Sequence, residues 1–157
     1  GAEYVLKWKS PKVGYPIAKC ADLDGDGASE ILIGDAGYEY GSNGLLIYRW
    51  NGSAYVALGQ SPDRRRTIPG EAGELFEEGT VQFTAIHTAP QQPAEASCVK
   101  LYEIRGGGLY TVWSAELDPD FMSPVMGDVD GDAVNELLVH VRGPGEPRIL
   151  VYGRKGR

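Results

Sequence analysis

The chain has 157 residues, 42% of them hydrophobic, and a formal charge of -7, a composition that fits one globular domain with a sizeable core. The acidic balance argues against nucleic-acid binding as the main role, and the one basic cluster, Arg64, Arg65 and Arg66, reads as a solvated loop. There is no run of about 18 apolar residues and no charged start leading into an apolar stretch, so neither a membrane span nor a signal peptide is expected.

Tyr, Val, Trp, Gly and Pro punctuate short alternating segments, and no stretch keeps a helical apolar period for the roughly 10 residues a helix needs. The expected class is therefore all-β. Self-similarity divides the chain into three copies of one unit with a period of roughly 50 residues. The units span about residues 4–54, 55–109 and 110–157 of a single domain covering 1–157.

Each unit opens on a strand: Tyr4-Val-Leu-Lys-Trp8, Tyr55-Val-Ala-Leu58, Tyr110-Thr-Val-Trp113. An apolar stretch then runs into an acidic loop: Asp22-Leu-Asp-Gly-Asp-Gly27, Glu74-Leu-Phe-Glu-Glu-Gly79, Asp128-Val-Asp-Gly-Asp-Ala133. Strands follow at Glu30-Ile-Leu-Ile33, Gln82-Phe-Thr-Ala-Ile86 and Glu136-Leu-Leu-Val139. The last strands are Leu45-Leu-Ile-Tyr-Arg-Trp50, Val99-Lys-Leu-Tyr-Glu-Ile104 and Arg148-Ile-Leu-Val-Tyr152.

Four strands per unit at this period match the blade of a β-propeller. Asn51-Gly-Ser53 and Gly106-Gly-Gly108 are hairpin turns, because such residues tolerate positive φ. The last strand of one unit and the first of the next therefore share a blade. That leaves the N-terminal strand, Tyr4 to Trp8, without a neighbour, and in a closed ring it is expected to complete the last blade. Three blades are fewer than the four to eight of known propellers. The ring is then completed by the remainder of a longer chain or by association of copies, unless the arrangement is an unusually small one.

The acidic loops have the spacing of calcium ligands. Calcium takes six to eight oxygens from carboxylates and carbonyls on a sharply turning chain. In the first loop the candidates are Asp22, Asp24, Asp26, the carbonyl of Ala28, and Glu30, with Gly27 permitting the turn. In the third unit they are Asp128, Asp130, Asp132, the carbonyl of Val134, and Glu136, but Ala133 stands where the glycine was. The first site is expected to be the stronger. The middle loop, with Phe76 and Gln82 in ligand places, is expected to hold no metal. Asp-Gly turns also occur without any ion; what favours calcium is the recurrence at matching places of a repeat. An EF-hand would need an acidic twelfth residue between helices, and that place holds Ile33 and Val139 inside short strands.

The pattern D-x-D-x-D-G-x-x-E followed by a strand resembles the FG-GAP/VCBS repeats of integrin-like and bacterial surface propellers. The resemblance implies a calcium-stabilised module, extracellular or on a cell surface, for protein or glycan binding and adhesion. Propellers of this look also serve as scaffold or accessory parts of larger secreted carbohydrate-active or hydrolytic enzymes, the alternative reading.

No nucleophile, base and orienting group combine into a catalytic motif, so this chain is expected not to be an enzyme. His87 and His140 read as structural, and Cys20 and Cys98 as small buried apolar residues. Asn51-Gly-Ser53 fits a glycosylation pattern but reads as a turn. The acidic loops and tight turns should share one end of every blade. Recognition would then sit on the longer loops of the other end, where Tyr15, Tyr38, Tyr40 and Asn43 are the candidate ligand-binding residues.

Overall fold

The computed structural model describes residues 4–35, 44–63, 65–75, 79–88, 97–117, 124–141 and 146–153. These residues form three antiparallel sheets and no helix. The first sheet holds β1 (Pro16–Ala21), β2 (Glu30–Asp35), β3 (Leu45–Trp50) and β4 (Tyr55–Gln60) in chain order. The second holds β5 (Arg66–Gly73), β6 (Gln82–Thr88), β7 (Ser97–Arg105) and β8 (Gly108–Leu117). The third has β9 (Val125–Gly127), β10 (Glu136–Val141) and β11 (Arg148–Tyr152). Each sheet is an up-and-down meander in which the acidic loop joins the first strand to the second.

The repeat extends to the ladder register. Tyr48 pairs with Ile31, Tyr102 with Phe83, and Tyr152 with Leu137. These three tyrosines are equivalent. In both four-stranded sheets the register of the last pair slips once, between Ile47 and Tyr48 and between Leu101 and Tyr102. Beyond the slip Tyr48 faces Ala57 and Tyr102 faces Thr111, which aligns Tyr55 with Leu109. The sequence alignment of Tyr55 with Tyr110 is thus off by one residue. Both hairpins turn as expected: Asn51 Oδ1 accepts the N–H groups of Ser53 and Ala54 at 3.0 and 2.9 Å, and Gly106 and Gly107 both have positive φ.

The sheets face one another and bury two apolar layers. Leu23, Leu45 and Ile47 of the first sheet meet Phe83, Ala85 and Tyr102 of the second. Leu75, Val99 and Leu101 of the second meet Leu137, Val139 and Val141 of the third. Backbones approach closely at β5: a Cβ on Gly34 would fall on the Thr67 carbonyl oxygen and 2.5 Å from Pro69 Cδ. A cavity of about 430 Å³ lies among the first strands of the three sheets, lined by residues that include Lys19 and Cys20 of β1, Glu71 of β5 and Met126 of β9.

Two expectations are corrected. Residues 4–8 form no strand; instead Trp8 rests on the first sheet, with ring centroids 5.0 Å from Tyr48 and 5.3 Å from Tyr55. They therefore do not complete the third sheet, because aromatic packing holds the segment at the other end of the array. Cys20 is exposed, since β1 is an edge strand beside the cavity; Cys98 is buried as expected, and both are free thiols.

Candidate metal loops

Loop 22–29 connects β1 to β2, and loop 128–135 connects β9 to β10. They fold alike, bond for bond. Asp22 accepts the N–H of Gly25 at 2.8 Å and of Gly27 at 2.9 Å; Asp128 accepts those of Gly131 at 2.7 Å and Ala133 at 3.0 Å. Asp24 accepts from Asp26 N–H and Asp26 from Ala28 N–H, while Asp130 and Asp132 do the same for Asp132 and Val134. Aspartate suits this work because its short carboxylate reaches backbone N–H groups two residues on.

The chain turns back on itself through residues of positive φ. Gly25 and Gly27 have φ of 76° and 87°, Gly131 has 83°, and Ala133, the one non-glycine in this region among the described residues, has 69°. An alanine at this φ is strained where a glycine is not.

The ninth residue closes each loop. Glu30 Oε2 accepts the Leu23 N–H at 2.8 Å, and Glu136 Oε2 accepts the Val129 N–H at 3.0 Å. In the middle sheet Gln82 Oε1 accepts the Leu75 N–H at 2.9 Å. One bond thus recurs three times, with a carboxylate in two cases and a neutral amide in the third. Burial pushes the Glu30 carboxyl above its usual range, the Leu23 N–H opposes this, and Asp26 and Asp22 add to the push.

Asp22, Asp24 and Glu30 bring one oxygen each within 4.8 Å of one another, as do Asp128, Asp130 and Glu136. These six of the ten expected ligands converge. All six aspartates accept turn N–H groups; Asp26 and Asp132, which accept from Ala28 and Val134, are the two outside the converging groups. The converging atoms are all carboxylate oxygens, a donor type that suits a hard cation.

The first loop holds a cation of its own. Arg49 on β3 forms ion pairs with Asp24 and, at 3.3 Å, with Glu30. Since Tyr48 and Tyr152 are equivalent, the place of Arg49 in the third sheet falls to Gly153, where a Cβ would lie 3.5 Å from Glu136 Cγ. Among the described residues the third sheet therefore offers no guanidinium at the matching place. Nothing in the loop motif announces Arg49, which comes from β3, the strand paired with β2.

On the opposite end of the sheets, Tyr15 is exposed and its N–H donates to Asp35 Oδ1 at 3.2 Å. Tyr38, Tyr40 and Asn43 lie outside the described residues.

A polar cluster in the second sheet went unseen in the sequence. Asp63 receives Arg65 at 2.6 Å and Lys100 at 2.8 Å. Thr67 Oγ1 donates to the Arg65 carbonyl at 2.8 Å, so it accepts from His87 Nδ1 at 2.9 Å. That leaves His87 Nε2 to accept from the Tyr102 hydroxyl at 2.7 Å, which in turn contacts Ser61 Oγ at 3.1 Å. The chain of bonds is self-consistent for a neutral imidazole. Burial lowers the His87 pKa to about 4, with Lys100 and Arg65 reinforcing and Asp63 opposing. Burial would raise Asp63, but its bonds from Arg65 and Lys100 win and hold it far below the usual carboxylate range. Burial pushes the Tyr102 hydroxyl up to about 12 and the Cys98 thiol upward. His87 and Thr67 are fully buried, and the cluster ties strands together. The expectation of a structural His87 fits this arrangement. No protein-family model, curated protein or solved structure matches this chain.

Proposed function

We propose that the chain is a non-catalytic binding module of bladed β-sheets in which calcium clamps the loops of the first and third sheets, and whose opposite end engages a protein or glycan. The observation that carries the reading is the duplication: two loops with the same hydrogen bonds, each converging three carboxylate oxygens within 4.8 Å. Three such groups at neutral pH repel one another, and a divalent cation relieves the repulsion while filling its coordination shell from oxygens. Millimolar calcium outside the cell would keep even weak sites filled, which favours a secreted or surface location. The two loops differ in what they ask of the ion. In the first, calcium must displace Arg49; in the third, no described side chain takes the place of Arg49, but the ion enters onto the strained turn at Ala133. The third-sheet loop is therefore the more receptive, which reverses the order expected from the glycine alone.

Calorimetric titration of chelator-treated protein tests this, with thermal melting alongside. Two calcium sites are expected, with Asp128→Asn removing one and Asp22→Asn the other. Free calcium at about 100 times Kd should add about 2.7 kcal/mol of stability. A melting curve unmoved by millimolar calcium would remove the metal from the proposal.

A further inference from the structure

The three sheets are equivalent in register, yet the third differs in what covers it. In the first sheet the loop residue Leu23 and the β3 residues Leu45 and Ile47 are 3%, 0% and 1% exposed, because the second sheet lies on them. Their counterparts in the second sheet, Leu75, Val99 and Leu101, are each 0% exposed under the third. The matching residues of the third sheet are Val129, Ile149 and Val151, and they are 55%, 62% and 53% exposed. An apolar face that is buried twice in this chain is open the third time. The same sheet also ends at β11 among the described residues, where the other two go on to a fourth strand.

Both missing parts exist at the other end of the array. Residues 4–8, Tyr-Val-Leu-Lys-Trp, have no strand partner, with Tyr4 and Leu6 97% and 84% exposed. With Tyr4 set on Tyr55 of β4 by the sequence repeat, the register that relates β4 to β8 puts Trp8 on Trp113, so the segment reads as a fourth strand. It is also placed as one. Trp113 of the second sheet packs on Tyr152 of the third with ring centroids 4.9 Å apart and an interplanar angle of 62°. Trp8 packs on the equivalent Tyr48 of the first sheet at 5.0 Å and 56°. Trp8 thus occupies the position of a fourth-strand tryptophan from a sheet stacked in front of the first.

We propose that this sheet is the third sheet of a second copy: it docks the face of Val129, Ile149 and Val151 on the partner's first sheet, and its β11 edge takes up the partner's residues 4–8 as a fourth strand. The contact is head-to-tail, so it closes into a ring or runs on as a filament. Two copies of the array of described residues bring together six sheets, within the four to eight of closed propellers. Strand addition of this kind also removes an exposed hydrophobic edge, which proteins rarely leave open. The inference does not depend on the metal.

Sedimentation of the full chain across micromolar concentrations is expected to show a species of at least twice the 16.9 kDa of one chain. Val151→Asp and Trp8→Ala, both outside the two buried layers, should each weaken association at least about tenfold without altering the far-ultraviolet spectrum. Register is tested separately by Val5→Cys with Gly153→Cys in a Cys20→Ser background, since Val5 would face Gly153. Oxidation should yield covalent dimers or a ladder. A monomer at all concentrations, or a disulfide formed within one chain, overturns the proposal.

Discussion

Exchanging the residues at one turn should move stability in opposite directions in the two metal loops. Gly27 and Ala133 hold equivalent places, at φ of 87° and 69°. A left-handed conformation costs a residue with a Cβ roughly 1–2 kcal/mol. Glycine in its place gives back about 0.4–1 kcal/mol by making the unfolded chain more flexible. Ala133→Gly should therefore stabilise by about 0.5–1 kcal/mol, and Gly27→Ala should destabilise by a similar amount. The second change is a clean test of backbone strain, because a Cβ on Gly27 would meet nothing within 4 Å. Urea unfolding in chelator-containing buffer reads both effects as midpoint shifts at constant slope, and melting should move by about 1–4 °C in each direction. The double variant should sit near the parent, because the two loops share no partner. A loss of stability in Ala133→Gly, or shifts of the same sign in both variants, would refute the reasoning.

Further outcomes follow from the same geometry. His87 is neutral in the folded state with its pKa lowered from 6.5 to about 4, so the unfolded chain binds the extra proton between those values. Stability should fall as pH drops from about 6.5 to about 4, by up to about 3 kcal/mol, and His87→Gln should flatten that slope in denaturation curves at pH 7 and 4.5. Asp63 acts lower: its stabilisation is complete above its ordinary pKa and is lost only below that range, so it leaves the His87 window alone. Arg49→Met removes the cation that competes with calcium at the first loop and should tighten that site about tenfold, a figure discounted for the partial exposure of the pair; titration against an Asp128→Asn background isolates it. Gly34→Ala pushes a methyl group into the Thr67 backbone and should cost at least about 2 kcal/mol, seen as an early urea midpoint.

Much of the architecture was legible because short-range signals set it. Alternation marked the strands, and glycine pairs and Asn51-Gly52 marked the hairpins that join the last strand of one unit to the first of the next. The N-terminal segment misled because strand formation needs a pairing edge, and nothing in Tyr4 to Trp8 says where that edge is; Trp8 found two tyrosines instead. The one-residue error at Tyr110 came from matching aromatic identity, whereas the slip beside Tyr102 sets the true register. The loops were readable as acidic turns, but the spacing did not show that of the three turn-making aspartates in each loop two also converge with the glutamate. Arg49 and the His87 cluster were out of reach of motif reasoning. They are assembled across β3 and β5 to β7 by pairing, from residue types that carry no spacing signature.

The bond from the ninth residue to the second N–H separates two jobs that the acidic motif merges. In the middle sheet Gln82 makes that bond to Leu75 with no carboxylate at all, so the hairpin is anchored whether or not an ion could follow. Anchor and cage can then vary independently. Conversely, the aspartate loop is portable. Replacing residues 74–81 by the sequence of 22–29, together with Gln82→Glu, would dock on an attachment point already built into the middle sheet.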